Sequence, residues 1–290
     1  MLARRALLLA GLALARPARG ERWAHGLLWR VAAADGGAPS HLFGTLHVDD
    51  RAAKDFAAPV LAALAAARLF RPEFNSDPAS GRVFAAATQL PPGPGLRELA
   101  GAALFERVAG LLAVHYGLPP AATDRLKPWA AFLQLSQPPR SPGETVDAAL
   151  ERRARALGLP VQPMETVQEQ IAALEALELS AQLTLLDAQS RQHDASGAAL
   201  ATWRALYLAQ DLAGLARAQR ALGDDAETVQ ALDTLLEHLL YRRSEHMALA
   251  LAADLRHGGV FVAVGALHLH GERGLPALLA RQGLRVEPLG

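Results

Sequence analysis

The sequence predicts an α+β fold, with a central mixed sheet built from strands near both chain ends and a large helical insertion covering it. Short apolar runs with strand character lie near the two ends. Between them, residues 167–255 are almost continuously helical in composition, rich in Ala, Leu, Gln and Glu. Two of the apolar runs, one near each end, close on the same Gly-x-x-His pattern, at Gly44–His47 and Gly265–His268. Strands grouped at the ends with helices between them favour α+β over a regular alternation of strand and helix.

Element by element, residues 27–31 read as a strand, Asp35-Gly36-Gly37 as a turn and residues 40–43 as a second strand, together a hairpin. Residues 56–67 are predicted helical, with Val60, Leu61 and Leu64 at helical spacing. Residues 68–70 read as a short strand leading into Pro72-Glu73-Phe74. Residues 78–95 read as a loop with one short helix. Helices follow over 96–116 and 128–137, then a loop over 138–143. An amphipathic helix over 145–157 is closed by Gly158. Residues 160–164 read as a short strand with Glu165-Thr166 at its end. Breaks in the long helical stretch are expected near Ser196-Gly197 and Gly223-Asp224-Asp225. Val-rich residues 260–264 form a strand, and a helix over 274–282 leads to a last strand over 284–287.

Composition narrows the function classes. The chain has 290 residues, 51% of them hydrophobic, enough for a sizeable core. Formal net charge is zero, without the basic excess of a nucleic-acid binder. With no cysteine, thiol nucleophiles, thiolate zinc sites, disulfides and lipoprotein anchoring are all removed. Any metal must be held by His, Asp, Glu, amides or water. There is no P-loop, no Gly-x-Gly-x-x-Gly, no Gly-x-Ser-x-Gly elbow and no His-Glu-x-x-His.

Residues 1–20 read as an export signal. Arg4 and Arg5 make a positive start, residues 6–15 are all Ala, Leu or Gly, and Ala13-Leu14-Ala15 resembles a cleavage site. The run is short of the about 20 residues that span a bilayer. Residues 21–290 are then expected to form one periplasmic or secreted domain, with no stable membrane span after cleavage.

The candidate chemistry rests on three groups. Each Gly-x-x-His places an imidazole at the end of a strand, where Gly permits a sharp turn or close backbone approach. Glu73 closes the strand after the first helix and could join His47 and His268 as a metal ligand. Two imidazoles and one carboxylate are a recurrent divalent-metal set with positions left open. Arg243, on the last long helix, could grip a carboxylate bidentately. The histidine pair reads equally as two surface histidines beside loops, while Glu73 and Arg243 taken alone read more readily as an exposed Glu and a solvated helix Arg. His270 would face the same way as His268 if the strand continued, but Gly271 argues that the chain is already turning.

Leu42-Phe43-Gly44-Thr45-Leu46-His47 and Val262-Ala263-Val264-Gly265-Ala266-Leu267-His268, followed by Gly271-Glu272 and Gly274-Leu275, resemble the two end motifs of the TraB/GumN family, which includes the Tiki-type proteins. Leu126-Lys127-Pro128-Trp129, Met164-Glu165-Thr166 with Gln170, Tyr207 with Asp211, and Arg242-Arg243 are similar to family landmarks in the right order. The resemblance implies an α+β fold with two related halves, and a site built from both Gly-x-x-His turns and Glu73. Tiki-type members are regarded as divalent-metal-dependent proteases, with manganese or cobalt the usual suggestion; zinc is a third candidate here. Transferred residue by residue, His47, His268 and Glu73 are the expected metal and catalytic set. Arg243 joins them, and Gly44, Thr45, Gly265 and Glu165 support them. The sequence departs from the family pattern at Arg71-Pro72 before Glu73, at Ser244 where Asn is usual, and at His270 where Pro is frequent.

Three readings follow. The first is an exported metal-dependent hydrolase acting on a peptide or protein. The second is a protein that captures a peptide or signal in the same cleft without cutting it. The third is a helical partner-binding protein, which expects the two histidines to lie far apart.

Overall fold

In the computed structural model, residues 21–289 are described, apart from 34–35, 75–76, 140–142 and 194–195. The export signal read over 1–20 and Asp35 of the hairpin turn lie outside the described residues.

The two ends of the chain share one sheet. Strand β1 (Leu28–Ala32) pairs antiparallel with β2 (Ser40–Thr45), with Leu28 opposite Phe43. The third strand, β3 (Leu69–Pro72), follows the helix Ala58–Ala65. Strand β4 (Val260–Gly265) lies between β2 and β3 and runs parallel to both. The last strand, β5 (Arg285–Pro288), closes the other edge against β1. The order is therefore β3-β4-β2-β1-β5. Every residue of β4 is buried, as expected of a parallel strand covered on both faces. Phe261 stacks on Phe70 of β3, with ring centroids 6.0 Å apart, and packs near Phe43 of β2.

The strand expected at residues 160–164 is reduced to one parallel bridge between Phe70 and Val161. Phe70 N–H donates to Pro160 O, but Pro72 of β3 has no N–H to make the next such bond, to Gln162 O, so the ladder breaks there. The segment still covers the open edge of β3. Its N–H groups at Gln162, Met164 and Glu165 donate to the carbonyls of Phe70, Pro72 and Glu73.

The middle of the chain is helical, with more joints than the composition suggests. The helix read over 96–116 is cut at Gly101, whose φ of +77° suits glycine, into Leu96–Ala100 and Ala102–Tyr116. Downstream run Val167–Glu175, Leu179–Gln192, Ser196–Leu208, Leu212–Arg220, Ala226–Leu236, a π turn at Glu237–Tyr241 and Arg242–His257. Side-chain caps explain several starts. Thr166 forms a capping box with Glu169, and Asp211 and Asp225 each accept a helix N–H. These helices bury a cluster of their own, including Phe105, Leu112, Trp129, Leu186 and Leu232. No helix among the described residues is long and apolar enough to cross a membrane.

Candidate functional site

The parallel pairing of β2 with β4 brings the two Gly-x-x-His segments side by side, with Thr45 opposite Gly265. His47 lies two residues beyond β2. His268 sits in the short 3-10 turn Ala266–Leu269 that leaves β4. Glu73 follows β3 on the far side of β4. All three reach one point. His47 Nε2 lies 3.8 Å and His268 Nε2 3.9 Å from the same oxygen, Glu73 Oε2. The histidines are therefore not far apart, and the helical partner-binding reading is overturned.

Each glycine makes room for the opposite turn. A Cβ added at Gly265 would lie 3.0 Å from His47 Nε2 and 3.6 Å from Glu73 Oε2. One added at Gly44 would meet Leu269 Cδ1 at 2.9 Å and Ala266 Cα at 3.0 Å. Close approach of two chain segments, rather than left-handed backbone, is what both positions require here. Tyr207 fixes the first turn from behind, donating from its buried hydroxyl to Gly44 O at 2.8 Å.

Both imidazoles are held by their other nitrogen. His47 Nδ1 is 2.9 Å from Asp147 Oδ2, and Thr45 Oγ1 donates to Asp147 Oδ1. Asp147 lies in the first turn of helix Val146–Ala156, where a carboxylate also suits the helix dipole. His268 Nδ1 is 2.8 Å from Ser244 Oγ, on the first turn of helix Arg242–His257. Glu73 is bound as firmly. Its Oε2 accepts Gly265 N–H at 2.9 Å, and its Oε1 accepts Arg243 Nη2 at 2.5 Å. Arg243 also donates through Nε and Nη2 to Glu165 Oε2 at 2.9 and 2.6 Å. Thus Gly44, Thr45, Gly265, Glu165 and Arg243 all lie at this site.

A model of the TraB/PrgY/gumN family matches residues 27–288. The chain belongs to the TraB/PrgY/gumN family. No curated protein and no solved structure matches it.

The two histidines of this family member face opposite electrostatic demands. Asp147 beside His47 raises its pKa to about 9, with Glu73 adding to the rise. The His47 side chain is 47% exposed, so water takes part in setting that charge, but both neighbouring carboxylates push the same way. Burial lowers the pKa of His268 to about 4. Burial alone would raise Glu73, but His268, Arg243 and His47 together with the Gly265 N–H hold it well below the usual carboxylate range. Burial raises Glu165 despite its bond to Arg243.

The donor set suits a divalent ion in kind. His47 Nε2 and Glu73 Oε2 face the gap that a Cβ on Gly265 would fill, with ring carbon Cδ2 of His268 beside them, and each imidazole has its outer nitrogen anchored, as metal-binding histidines do. In spacing the set is open. No group of three or more His, Cys, Asp or Glu among the described residues is placed to hold an ion as it stands. Two donors on one ion at tetrahedral angles lie about 3.4 Å apart, so the pairs at 3.8 and 3.9 Å would have to draw in by a few tenths of an ångström.

Asp147 escaped notice in the sequence because an acidic residue in a first helical turn has an ordinary explanation. Ser244 stood out only as a departure from the family pattern. His270 falls just past the 3-10 turn, where strand alternation no longer sets it beside His268.

Proposed function

We propose that this TraB/PrgY/gumN-family chain is an exported metal-dependent hydrolase that cleaves peptide bonds, with His47, His268 and Glu73 as the ligands of a divalent ion. One observation carries the reading: two anchored imidazoles present Nε2 to one carboxylate oxygen at 3.8 and 3.9 Å. Manganese or cobalt is the favoured ion by family resemblance, and zinc fits the same donors. Such an ion supplies Lewis acidity towards a carbonyl oxygen and makes water a stronger acid. The chain's own groups have separable tasks. Asp147 and Ser244 orient the imidazoles, and Arg243 balances the charges of Glu73 and Glu165. Glu73 serves as a ligand rather than as a base, because a carboxylate held so far below its usual range takes protons poorly at neutral pH. Export to the periplasm or beyond belongs to the same proposal, supported by the pattern of residues 1–20.

The engaged state of Glu73 also favours the second reading, capture of a peptide without cleavage. One experiment separates them. The full chain, purified without chelators, is titrated with manganese, cobalt and zinc beside a His47→Ala/His268→Ala variant, and each protein is then screened against a peptide library by mass spectrometry. Stoichiometric ion binding and ion-dependent products, both lost in the variant, are the expected result. Peptide binding without ion dependence or product supports capture, and a folded wild type that binds no ion overturns the hydrolase.

A further inference from the structure

Neutral imidazole carries one ring proton, and the nitrogen that keeps it decides what the ring presents to the cleft. His268 Nδ1 lies 2.8 Å from Ser244 Oγ, and that same oxygen lies 2.8 Å from the carbonyl oxygen of Leu240. A hydroxyl has one hydrogen, and Leu240 O can only accept. With the hydroxyl hydrogen on Leu240, the serine oxygen is an acceptor towards the ring, and His268 Nδ1 must be the donor. The far side of the ring agrees. Glu73 Oε2, the oxygen that Nε2 faces, is 3.9 Å away, beyond hydrogen-bond reach. A hydrogen on Nε2 would lack that partner, while a hydrogen on Nδ1 has one. Both residues are buried, so water does not blur the choice at the Ser244 end.

We propose that Ser244 is a positioning residue that locks His268 as its Nδ1–H tautomer, turning the Nε2 lone pair towards Glu73 and His47. The π turn Glu237–Tyr241 is part of the device. Leu239 O and Leu240 O within it accept from Arg243 Nη1 and Ser244 Oγ, each four residues on. One widened turn therefore sets the arginine that holds Glu73 and the serine that orients His268, in keeping with the frequent placing of π turns at functional sites. The use of that lone pair rests on the hydrolase reading; its direction does not.

The test uses the full chain with ring-15N-labelled histidine, freed of metal by chelation, at pH 7.5. The His268 signals are those lost in His268→Gln. Two-bond proton–nitrogen correlations should show a protonated Nδ1 and a lone pair on Nε2 in the wild type. Ser244→Ala, a small and helix-tolerant change checked by circular dichroism, should lose that single pattern, and Ser244→Thr, which keeps the hydroxyl, should retain it. A wild type with the proton on Nε2 overturns the proposal, and so does a Ser244→Ala pattern identical to wild type. The readout needs neither ion nor turnover, so a chain that binds no metal would sink the hydrolase and leave this result to be judged by itself.

Discussion

An alanine at position 265 would carry its Cβ to 3.0 Å from His47 Nε2, in a backbone conformation that alanine tolerates. The side chain that must yield is half exposed, and it gives way by loosening its bond to Asp147. Gly265→Ala should therefore fold with near-native stability and lose ion binding, as checked by urea denaturation beside metal titration. Gly44→Ala should do the reverse. Its Cβ meets Ala266 Cα and Leu269 Cδ1, which are packed backbone and core, so a loss of about 1–3 kcal/mol is expected in urea. Arg243 gives the largest effect. Removing it as Arg243→Met leaves Glu73 and Glu165 buried without their cation, a change that costs about 3–5 kcal/mol in comparable pairs. The histidines predict the pH profile of the ion-free chain. His268 has its folded pKa lowered to about 4, so its contribution is complete above the ordinary value of 6.5 and is lost as pH falls from there through 4. His47 has its folded pKa raised to about 9, so its contribution is complete below 6.5 and fades as pH rises through 9. Urea midpoints across that range should show the acid limb flattened in His268→Gln and the alkaline limb flattened in His47→Gln.

At the scale of elements, helix Val146–Ala156 matters to the site beyond its packing, because it aims Asp147 at His47. Its N-cap Thr145 accepts the N–H of Ala148 at 3.3 Å. Thr145→Ala should cost about 1 kcal/mol in urea, and proton NMR should show the His47 pKa falling from about 9 as the Asp147 contact loosens. Which elements could be read in advance follows from the range of the forces that make them. The hairpin, the Val-rich strand and the helix closed by Gly158 announce themselves through local periodicity and turn residues. The repeated Gly-x-x-His turns likewise pointed to His47 and His268, and its place at the end of the strand after the first helix pointed to Glu73. The partners of the two imidazoles were hidden because they come from other segments, as Asp147 does at 100 positions from His47. The π turn was hidden for another reason. A change from four-residue to five-residue hydrogen bonding leaves no mark on composition. At residues 160–164 the apolar character reads as a strand, but the ladder breaks at Pro72 of β3, which has no N–H to give across that edge.

For the whole molecule, the sheet depends on contacts of very long range, such as Thr45 Oγ1 to Val264 O at 219 positions. A chain ended after His257 would lack β4 and β5, leaving β2 and β3 without their shared neighbour. It should lose the near-ultraviolet signature of a packed sheet. Much of its helical far-ultraviolet signal should persist, since the cluster around Phe105, Trp129 and Leu186 draws on no strand residue. The strand that completes the site is also made long after the two strands it joins. At ordinary ribosomal speeds of 5–20 residues per second, β2 and β3 would wait about ten to forty seconds for β4. A chain that has not yet reached His268 cannot bring the two histidines together. On the proposed hydrolase reading, that ordering keeps an unfinished chain from cutting its neighbours.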